Sequence, residues 1–214
     1  MTESLRISEI FFSLQGEADS VGWPTVFVRL TGCPLRCVYC DTAYAFYGGE
    51  RMSLDAILAE VGRHRTRWVT VTGGEPLAQP ACLELLRGLA DAGYRVSLET
   101  GGAMDVSAVD PRVVKVLDLK TPDSGESARN RYQNLPYLRE RDQVKFVICS
   151  AEDYAWAKRI LRDYALPEVC QVLFSPAAGL ISPRDLAEMI LADQLPVRFQ
   201  IQLHKILWGD ARGK

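Results

Sequence analysis

The sequence predicts an α/β fold: a partial, TIM-like barrel of mainly parallel strands with helices on the outside. Short apolar runs alternate along the chain with longer amphipathic runs, a pattern typical of βαβ units and a parallel sheet. With 214 residues, the chain is short for a complete eight-fold barrel of about 250 residues. No low-complexity linker or shift in composition divides it, so we expect residues 1–214 to form a single domain.

The strands are predicted from short apolar runs, many of them rich in β-branched residues. In chain order they are 6–12, 25–31, 68–72, 95–99, 113–119, 143–149, 169–174 and 197–202. Longer amphipathic runs between them predict helices over 53–65, 79–92, 151–164 and 182–193. Ser53 and Ser182 suit N-cap positions, and Pro183 suits a first helical turn. Segment 124–139 is predicted to be part helix and part loop.

Several strands carry polar side chains on one face, because successive side chains of a strand point to opposite sides. These polar residues are Arg29 and Thr31, Ser97 and Glu99, Asp118 and Lys120, and Arg198, Gln200, Gln202 and His204. The core of a closed barrel would be filled by Val, Ile and Leu instead. The pattern therefore indicates a wet or ligand-filled lumen, although simple solvation of some of these faces is the alternative.

Composition and charge exclude several classes of function. The chain is 48% hydrophobic and 24% charged, with a formal net charge of −2, so it lacks the basic footprint of a nucleic-acid-binding protein. No apolar run approaches the roughly 18–20 residues that span a bilayer, so we expect no membrane partner. No signal peptide opens the sequence and its cysteines do not form a disulfide framework, which indicates a cytoplasmic protein with reduced thiols.

Cys33, Cys37 and Cys40 form a C-x3-C-x2-C motif directly after a predicted strand. Thiolates hold iron–sulfur clusters, and a cubane has four irons to ligate, so three cysteines leave one iron open to a small molecule. A structural zinc site usually needs four ligands in two separated pairs, whereas the two histidines, His64 and His204, lie far along the chain. The motif therefore favours a catalytic cluster. The other cysteines, which lie in apolar stretches, are Cys82, Cys149 and Cys170.

A Gly-Gly turn, Thr72-Gly-Gly-Glu-Pro76, follows another predicted strand. Paired glycines let the backbone approach a ligand closely. Parallel α/β folds bind ligands beyond the carboxyl ends of their strands, and several other loops fall at such ends. They are the cysteine loop, 99–102, 120–122 and 175–176. We expect all of these loops and the Gly-Gly turn to line a single cavity at the carboxyl ends of the strands.

Taken together, these motifs resemble those of the radical S-adenosylmethionine enzymes. More narrowly, the chain is similar from end to end to the 7-carboxy-7-deazaguanine synthase family. The stretches that carry the resemblance are Ser13-Leu-Gln-Gly-Glu17, Gly32–Thr42, Thr72–Pro76, Leu98–Gly101, Asp118–Pro122, Gln143-Val-Lys-Phe146 and Gln202-Leu-His-Lys205. The resemblance makes the expected fold a partial radical S-adenosylmethionine barrel.

The resemblance implies a lyase with a [4Fe–4S] cluster, S-adenosylmethionine and Mg²⁺ as cofactors. The family takes hydrogen from C6 of 6-carboxy-5,6,7,8-tetrahydropterin with a 5′-deoxyadenosyl radical. Ring contraction and loss of ammonia then give 7-carboxy-7-deazaguanine, an intermediate of queuosine and deazapurine biosynthesis and so of a tRNA modification pathway. The implied partners are the small pterin substrate, an electron donor such as flavodoxin or ferredoxin, and a second copy in a homodimer.

The resemblance also assigns site residues. Cys33, Cys37 and Cys40 would ligate the cluster and Thr42 the magnesium. The substrate residues would be Leu14, Gln15, Gly16, Glu17, Arg29 and Thr72. The residues for S-adenosylmethionine would be Tyr39, Cys40, Asp41, Gly74, Glu99, Asp118, Leu119 and Lys120.

Three of these assignments have a physical rationale and an alternative. The Glu17 carboxylate suits the adjacent N–H donors of an aminopyrimidinone, but it could be a capping or solvated loop residue. Arg29 lies mid-strand and needs an anion, either the substrate carboxylate or an internal ion-pair partner. Thr42 offers the hard oxygen that Mg²⁺ prefers, or it could be a plain N-cap.

Two departures and two rival functions accompany this interpretation. Some family members end in a proline whose carboxylate reaches the substrate, whereas this sequence continues through residues 208–214. The family often has Ser-Pro-Lys where this chain has Asp118-Leu-Lys120. A glycyl-radical-enzyme activase would share the cysteines and the Gly-Gly turn, but would have no reason to keep Gln15, Glu17, Arg29 and Thr42. A non-catalytic iron–sulfur or zinc module would leave the Gly-Gly turn and the polar strand faces unexplained.

Overall fold

Nine strands form one sheet in the computed structural model, which describes residues 3–214. In chain order the strands are β1 Ser4–Leu14, β2 Pro24–Leu30, β3 Glu50–Ser53, β4 Trp68–Gly73, β5 Arg95–Thr100, β6 Val114–Asp118, β7 Gln143–Ile148, β8 Gln171–Pro176 and β9 Arg198–Phe199. Their spatial order is β3-β1-β2-β4-β5-β6-β7-β8-β9. From β2 to β9 all neighbours are parallel, and only β1 and β3 are added antiparallel at one edge. The two ends of the sheet do not pair, so the predicted open, partial barrel is confirmed.

Six helices connect or follow the strands. They are α1 Leu54–Val61, α2 Cys82–Asp91, α3 Ala151–Asp163, α4 Leu166–Val169, α5 Pro183–Ala192 and α6 Leu203–Trp208. Ser53 caps α1 as predicted, since its hydroxyl accepts the Ala56 N–H at 3.2 Å. Ser182 occupies the N-cap position of α5, but its side chain makes no capping hydrogen bond. Segment 124–139 forms short 3-10 turns and loops, in agreement with the mixed prediction.

The core lies between the sheet and its helices. Val26, Val28 and Leu30 on the outer face of β2 are fully buried, as are Leu85 and Leu89 on α2. Each such side chain stabilises the fold by about 1.5–3 kcal/mol when removed from water. The opposite face of β2 carries Arg29 toward the inside of the barrel, so the alternation read from the sequence separates core from lumen.

The C-terminal strand prediction, 197–202, is wrong beyond its first residues. Only Arg198–Phe199 pairs in the sheet, because the chain then turns away and the Leu203 N–H donates to the Gly16 carbonyl at 3.0 Å. His204 therefore lies in α6 rather than on a strand face. Arg198 does not line the lumen either, since its guanidinium contacts Gln171 at 3.2 Å.

Two smaller differences concern short elements. The edge strand β3 is absent from the prediction because its four residues are charged or half-exposed and show no apolar alternation. The strand predicted at 169–174 begins only at Gln171, since Leu166–Val169 forms a helical turn with Pro167 in its first turn. No helix within residues 3–214 is long and apolar enough to cross a membrane.

Candidate active site

One large cavity of about 610 Å³ opens at the carboxyl ends of the parallel strands. The loops after β2, β4, β5 and β6 all reach it, as the sequence predicts from their positions. The loop after β1 and helix α6 close it from the other side. Its volume is typical of a site for small molecules.

The loop after β2 presents Cys33, Cys37 and Cys40 to this cavity. All three thiols are free and partly exposed. Burial raises the pKa of Cys33, and it raises the pKa of Cys37 to about 11. Repulsion between the neighbouring thiolates adds to both increases. Cys33 and Cys37 therefore favour the neutral thiol until a metal centre stabilises the ionised form, as metal ligation does.

The Gly-Gly turn after β4 packs directly against the start of the cysteine loop. The Gly74 N–H donates to the Leu30 carbonyl at 3.1 Å, and the Glu75 N–H donates to the Gly32 carbonyl at 2.7 Å. A Cβ atom on Gly74 would stand 2.2 Å from the Gly32 oxygen and 2.8 Å from Cys33 Cβ. Glycine is therefore required at position 74 for the two loops to meet.

Glu75 joins this turn to the loop after β5. The carboxylate is fully buried and accepts hydrogen bonds from the Thr100 hydroxyl at 2.9 Å, the Gly101 N–H at 2.8 Å and the Leu77 N–H at 3.1 Å. Burial raises its pKa, against the lowering effect of these donors. Glu75 thus fixes two of the cavity loops to each other rather than facing a ligand.

The three cysteines fit a cluster better than a single ion. Within residues 3–214, no three His, Cys, Asp or Glu side chains converge closely enough to hold one metal ion, as a structural zinc site requires. A cubane presents its irons at separate corners, so its thiolate ligands need not meet at one point. The donor set and its position on one cavity wall match the three-thiolate requirement.

Asp118 and Lys120, at the end of β6, form the wall next to the cysteines. Lys120 Nζ lies 2.9 Å from Asp118 Oδ2, and Asn130 holds the turn through hydrogen bonds of 2.9 and 2.8 Å to the Lys120 backbone. Although burial raises the pKa of Asp118, Lys120 and Lys145 lower it below the ordinary value. Asp118 Oδ1 is buried and has no hydrogen-bond partner in the described part of the chain. This oxygen can accept a donor from a ligand.

Tyr39 and Leu119, assigned beside this turn, differ in placement. Tyr39 lines the cavity with its hydroxyl buried and unpartnered among residues 3–214, and Lys120 Nζ lies 5.7 Å from its ring centre. The Leu119 side chain is fully buried in the apolar core instead. Leu119 therefore offers no side chain to the cavity, and its place in a cofactor-binding turn stays a prediction.

Gln15 and Glu99 form a polar wall of the cavity. The Gln15 amide donates to Thr70 Oγ1 at 3.0 Å and to Glu99 Oε1 at 3.3 Å. Ser97 is hydrogen-bonded to Thr70 at 2.9 Å, which completes a polar strip across β4 and β5. Burial raises the pKa of Glu99, while Lys145 lowers it in part. The lumen is polar here, as the strand alternation indicates.

Glu17 is buried in the same wall and is held by several donors. Its Oε2 lies 2.7 Å from Lys145 Nζ, and its Oε1 accepts the Gln202 amide at 2.8 Å. Although burial raises the pKa of Glu17, Lys145 and Gln202 lower it below the ordinary value. Only 8% of the residue is exposed, so the alternative of a solvated loop glutamate is wrong.

Arg29 lines the cavity and has an internal partner. Its Nε lies 2.8 Å from Glu9 Oε1, which also accepts the Tyr44 hydroxyl at 2.6 Å. The internal ion pair considered as the alternative is therefore present. It uses Nε, and within residues 3–214 the two Nη groups make no further hydrogen bond, so they are available to a second carboxylate.

Asp41 and Thr42 follow the last cysteine at the mouth of the cavity. The Thr42 hydroxyl donates to Asp41 Oδ1 at 2.7 Å, and Lys205 Nζ lies 3.7 Å from Asp41 Oδ2. Although burial raises the pKa of Asp41, Thr42, Lys205 and His204 lower it. Thr42 occupies the N-cap position considered as the alternative, although its side chain makes no capping bond. Thr42 also lines the cavity.

Comparisons with known proteins agree with this geometry. The model of the radical SAM superfamily matches residues 27–119, which include both the cysteine motif and the Gly-Gly turn. The 7-carboxy-7-deazaguanine synthase of Chlorobaculum tepidum is 46% identical over 98% of this chain and 97% of its own. That of Koribacter versatilis is 42% identical over 95% of this chain and 97% of its own. The chain belongs to the 7-carboxy-7-deazaguanine synthase family.

The fold supports the same assignment. The crystal structure of QueE from Escherichia coli is similar with a TM-score of 0.79 and 25% identity, over 94% of this chain and 95% of that one. A Streptococcus suis protein, SuiB, shares only the fold, at 13% identity and a TM-score of 0.58. Membership of a family of radical SAM lyases leaves neither the activase nor the non-catalytic module as the function of this chain.

The cavity of this synthase-family member collects every assigned side chain except Leu119. It also contains residues to which we assigned no role from the sequence, chiefly Lys145, His204 and Lys205. A role for Lys145 could have been predicted from the sequence, because a lysine in the apolar run 143–149 needs a buried anion just as Arg29 does. His204 was expected on a polar face and, like Lys205, lies in a stretch that carries the resemblance, but neither received a role because helix α6 was not predicted.

Proposed function

We propose that this protein is a 7-carboxy-7-deazaguanine synthase, which converts 6-carboxy-5,6,7,8-tetrahydropterin to 7-carboxy-7-deazaguanine with loss of ammonia. The single observation that carries the proposal is the shared cavity. The three cysteines and the Gly-Gly turn line the same cavity as Gln15, Glu17 and Arg29. A cofactor held by the first group and a small heterocycle held by the second would share this cavity.

The cysteine wall is the proposed cofactor site. Cys33, Cys37 and Cys40 would hold a [4Fe–4S] cluster, which together with S-adenosylmethionine supplies the organic radical that this reaction needs. The backbone at Gly74 faces the cavity and can bind the methionine end of S-adenosylmethionine. Asp118 Oδ1 is a free acceptor for its nucleoside end. The remaining residues proposed for this site are Tyr39, Asp41, Glu99, the Leu119 backbone and Lys120.

The part of the cavity lined by Gln15, Glu17 and Arg29 is the proposed pterin site. The ionised Glu17 carboxylate would accept the adjacent N–H groups of the aminopyrimidinone, and Gln15 would bind the ring with the backbone of Leu14 and Gly16. The free Nη groups of Arg29 would pair with the substrate carboxylate. Thr72, at the end of β4, completes this part of the cavity.

The mouth of the cavity is the proposed magnesium site. The Thr42 hydroxyl would contribute one oxygen ligand, with substrate oxygens and water supplying the rest, as is usual for Mg²⁺. Asp41 lies beside it and holds the hydroxyl in place through the 2.7 Å hydrogen bond.

We further propose a cytoplasmic, single-domain enzyme that acts as a homodimer and receives electrons from a flavodoxin or a ferredoxin. A small soluble electron carrier fits because the cysteine loop lies at the cavity mouth, where Val38 is 74% exposed. A reduced cytoplasm suits a site built on three free thiols. Size-exclusion chromatography tests the dimer.

The proposed function is tested by an anaerobic assay with reconstituted protein, S-adenosylmethionine, dithionite and the carboxylated tetrahydropterin. We expect 7-carboxy-7-deazaguanine and ammonia in equal amounts. Cys37→Ala should lose both the product and the brown absorbance of the cluster, whereas Cys170→Ala, which removes a buried thiol outside the cavity, should keep both. A reconstituted wild-type protein that binds the pterin and releases no deazapurine would end the proposal.

A further inference from the structure

Lys145 is the buried cation of the cavity to which the sequence assigned no role. It lies in the middle of β7, in register with Asp118 of β6, and only 7% of the residue is exposed. Its ammonium is 2.7 Å from Glu17 Oε2 and 3.6 Å from Asp118 Oδ2. A lysine buried this deeply is tolerated only when carboxylates compensate for its lost hydration.

The distances show which carboxylate depends on Lys145 as its ion-pair partner. Asp118 already has Lys120 at 2.9 Å, so removal of Lys145 would leave it paired. Glu17 has Lys145 as its ion-pair partner and otherwise amide donors, chiefly Gln202 at 2.8 Å. Without Lys145, only Gln202 and His204 would oppose the burial that raises the pKa of Glu17.

We propose that Lys145 is a positioning residue that holds Glu17 ionised and oriented at the cavity wall, and thereby sets the specificity for heterocycles with two adjacent N–H donors. An ionised carboxylate only accepts hydrogen bonds, so it favours a 2-amino-4-oxo ring over one with an oxygen in place of the amino group. The inference rests on the proposed function, since it takes Glu17 to meet the pterin. It adds a residue that acts through Glu17 and not on the ligand.

Other charged groups also face Glu17. His204 approaches Glu17 from α6 and Glu99 approaches it from β5, while Asp118 of β6 faces Lys145 of β7. Burial lowers the pKa of His204, so its neutral form is favoured near neutral pH. Comparison of variant with wild type at each pH cancels the titration of the ligand. Because Lys145 also lowers the pKa of Glu99 and Asp118, the Glu17→Gln background separates their titration from that of Glu17.

The test measures equilibrium binding of two oxidised, fluorescent probes, 6-carboxypterin and 6-carboxylumazine, from pH 6 to pH 9. Lys145→Met should lose about tenfold in pterin affinity relative to wild type for each pH unit below the raised pKa of Glu17, and the two affinities should converge toward pH 9. Its preference for the pterin over the lumazine should fall in the same range. Lys145→Arg should restore most of the affinity.

Lys115→Met is the matched control. Lys115 is buried like Lys145 and pairs with Asp142 at 2.8 Å, but it lies outside the cavity. Its loss should lower stability without changing the pH profile of pterin binding. If Lys145→Met does not fold, Glu17→Gln and the double variant Glu17→Gln/Lys145→Met replace it, since the double variant buries neither charge. The single variant Glu17→Gln and the double variant should then bind the pterin with equal affinity.

The outcomes separate the two proposals. If wild type binds neither probe, the proposed function fails first. If wild type binds the pterin and Lys145→Met shows the same pH profile and the same pterin preference, the role of Lys145 is overturned and the proposed function stands. A further loss of affinity from Lys145→Met in the Glu17→Gln background would also overturn it, because Lys145 would then act independently of Glu17.

Discussion

Gly74→Ala tests whether the contact between the Gly-Gly turn and the cysteine loop shapes the site. The new Cβ would lie 2.2 Å from the Gly32 carbonyl oxygen and 2.6 Å from its carbon. Both atoms belong to the backbone, so no side-chain rotation relieves the overlap. The turn must move away from the cysteine loop, and the 2.7 Å hydrogen bond from the Glu75 N–H to Gly32 is the first contact to lengthen.

The expected cost combines two effects. Overpacking of a close contact costs about 1–3 kcal/mol. Loss of the hydrogen bond from Glu75 adds roughly 1 kcal/mol. A total of about 3 kcal/mol corresponds to a decrease in Tm of about 6–12 °C for a chain of this size.

The assay is urea or thermal unfolding of the cluster-free protein, followed by iron and sulfide analysis after anaerobic reconstitution. Gly88→Ala is the matched control, because its Cβ would meet only Leu58 Cδ1, at an ordinary 3.6 Å, in the interior of α2. This change should stabilise the protein by up to about 1 kcal/mol through helix propensity. Gly74→Ala should lower both stability and bound iron, whereas Gly88→Ala should leave bound iron unchanged.

The reasoning would be refuted by a Gly74→Ala protein that unfolds at the wild-type urea concentration and takes up the full complement of iron. It would be weakened equally if Gly88→Ala lost as much iron as Gly74→Ala, because the effect would then not depend on the contact between the two loops.

Three further predictions concern individual side chains. Arg29→Ala should weaken pterin binding by about 10–100-fold, as expected for a lost charged pair, and should leave S-adenosylmethionine cleavage unchanged. If Glu9→Gln lost as much pterin affinity, only the internal ion pair between Glu9 and Arg29 would matter. Turnover should rise with Mg²⁺, and Thr42→Ala should respond less, whereas indifference of the wild type to a chelator counts against the metal. Because burial raises the pKa of Glu99 above its ordinary 4.5, ionisation costs stability increasingly as pH rises. Glu99→Gln should therefore be more stable than wild type at pH 8 but not at pH 4, and equal differences at both pH values in urea unfolding would contradict this sign.

The sequence predicts the elements and the position of the cavity because both depend on local patterns. Alternation of apolar and polar residues along β2 separates Val28 in the core from Arg29 in the lumen. Parallel connections then place the loops that follow the strands at one edge of the sheet. The resemblance of short motifs adds the individual residues.

What the sequence does not predict depends on tertiary contacts. The chain leaves the sheet after β9 because Leu203 bonds to Gly16, a contact between residues far apart in sequence. The pairing of Glu17 with Lys145 likewise joins residues far apart in sequence. Arg29 and Glu9 are 20 residues apart and pair across β1 and β2, in a register that the strand pattern alone does not predict. Leu119 shows that a motif does not give the direction of a side chain. The motif assigns Leu119 to the cofactor, whereas its side chain packs in the core.

The central claim is that cofactor and pterin bind in one cavity. The most direct test follows the hydrogen atom at C6 of the pterin to the cofactor. Substrate carrying deuterium at C6 is turned over anaerobically with unlabelled S-adenosylmethionine, and the 5′-deoxyadenosine formed is analysed by mass spectrometry. A cofactor and a pterin held in contact within one cavity predict deuterium in the 5′-deoxyadenosine along with the deazapurine product. Product formation with unlabelled 5′-deoxyadenosine would contradict the account.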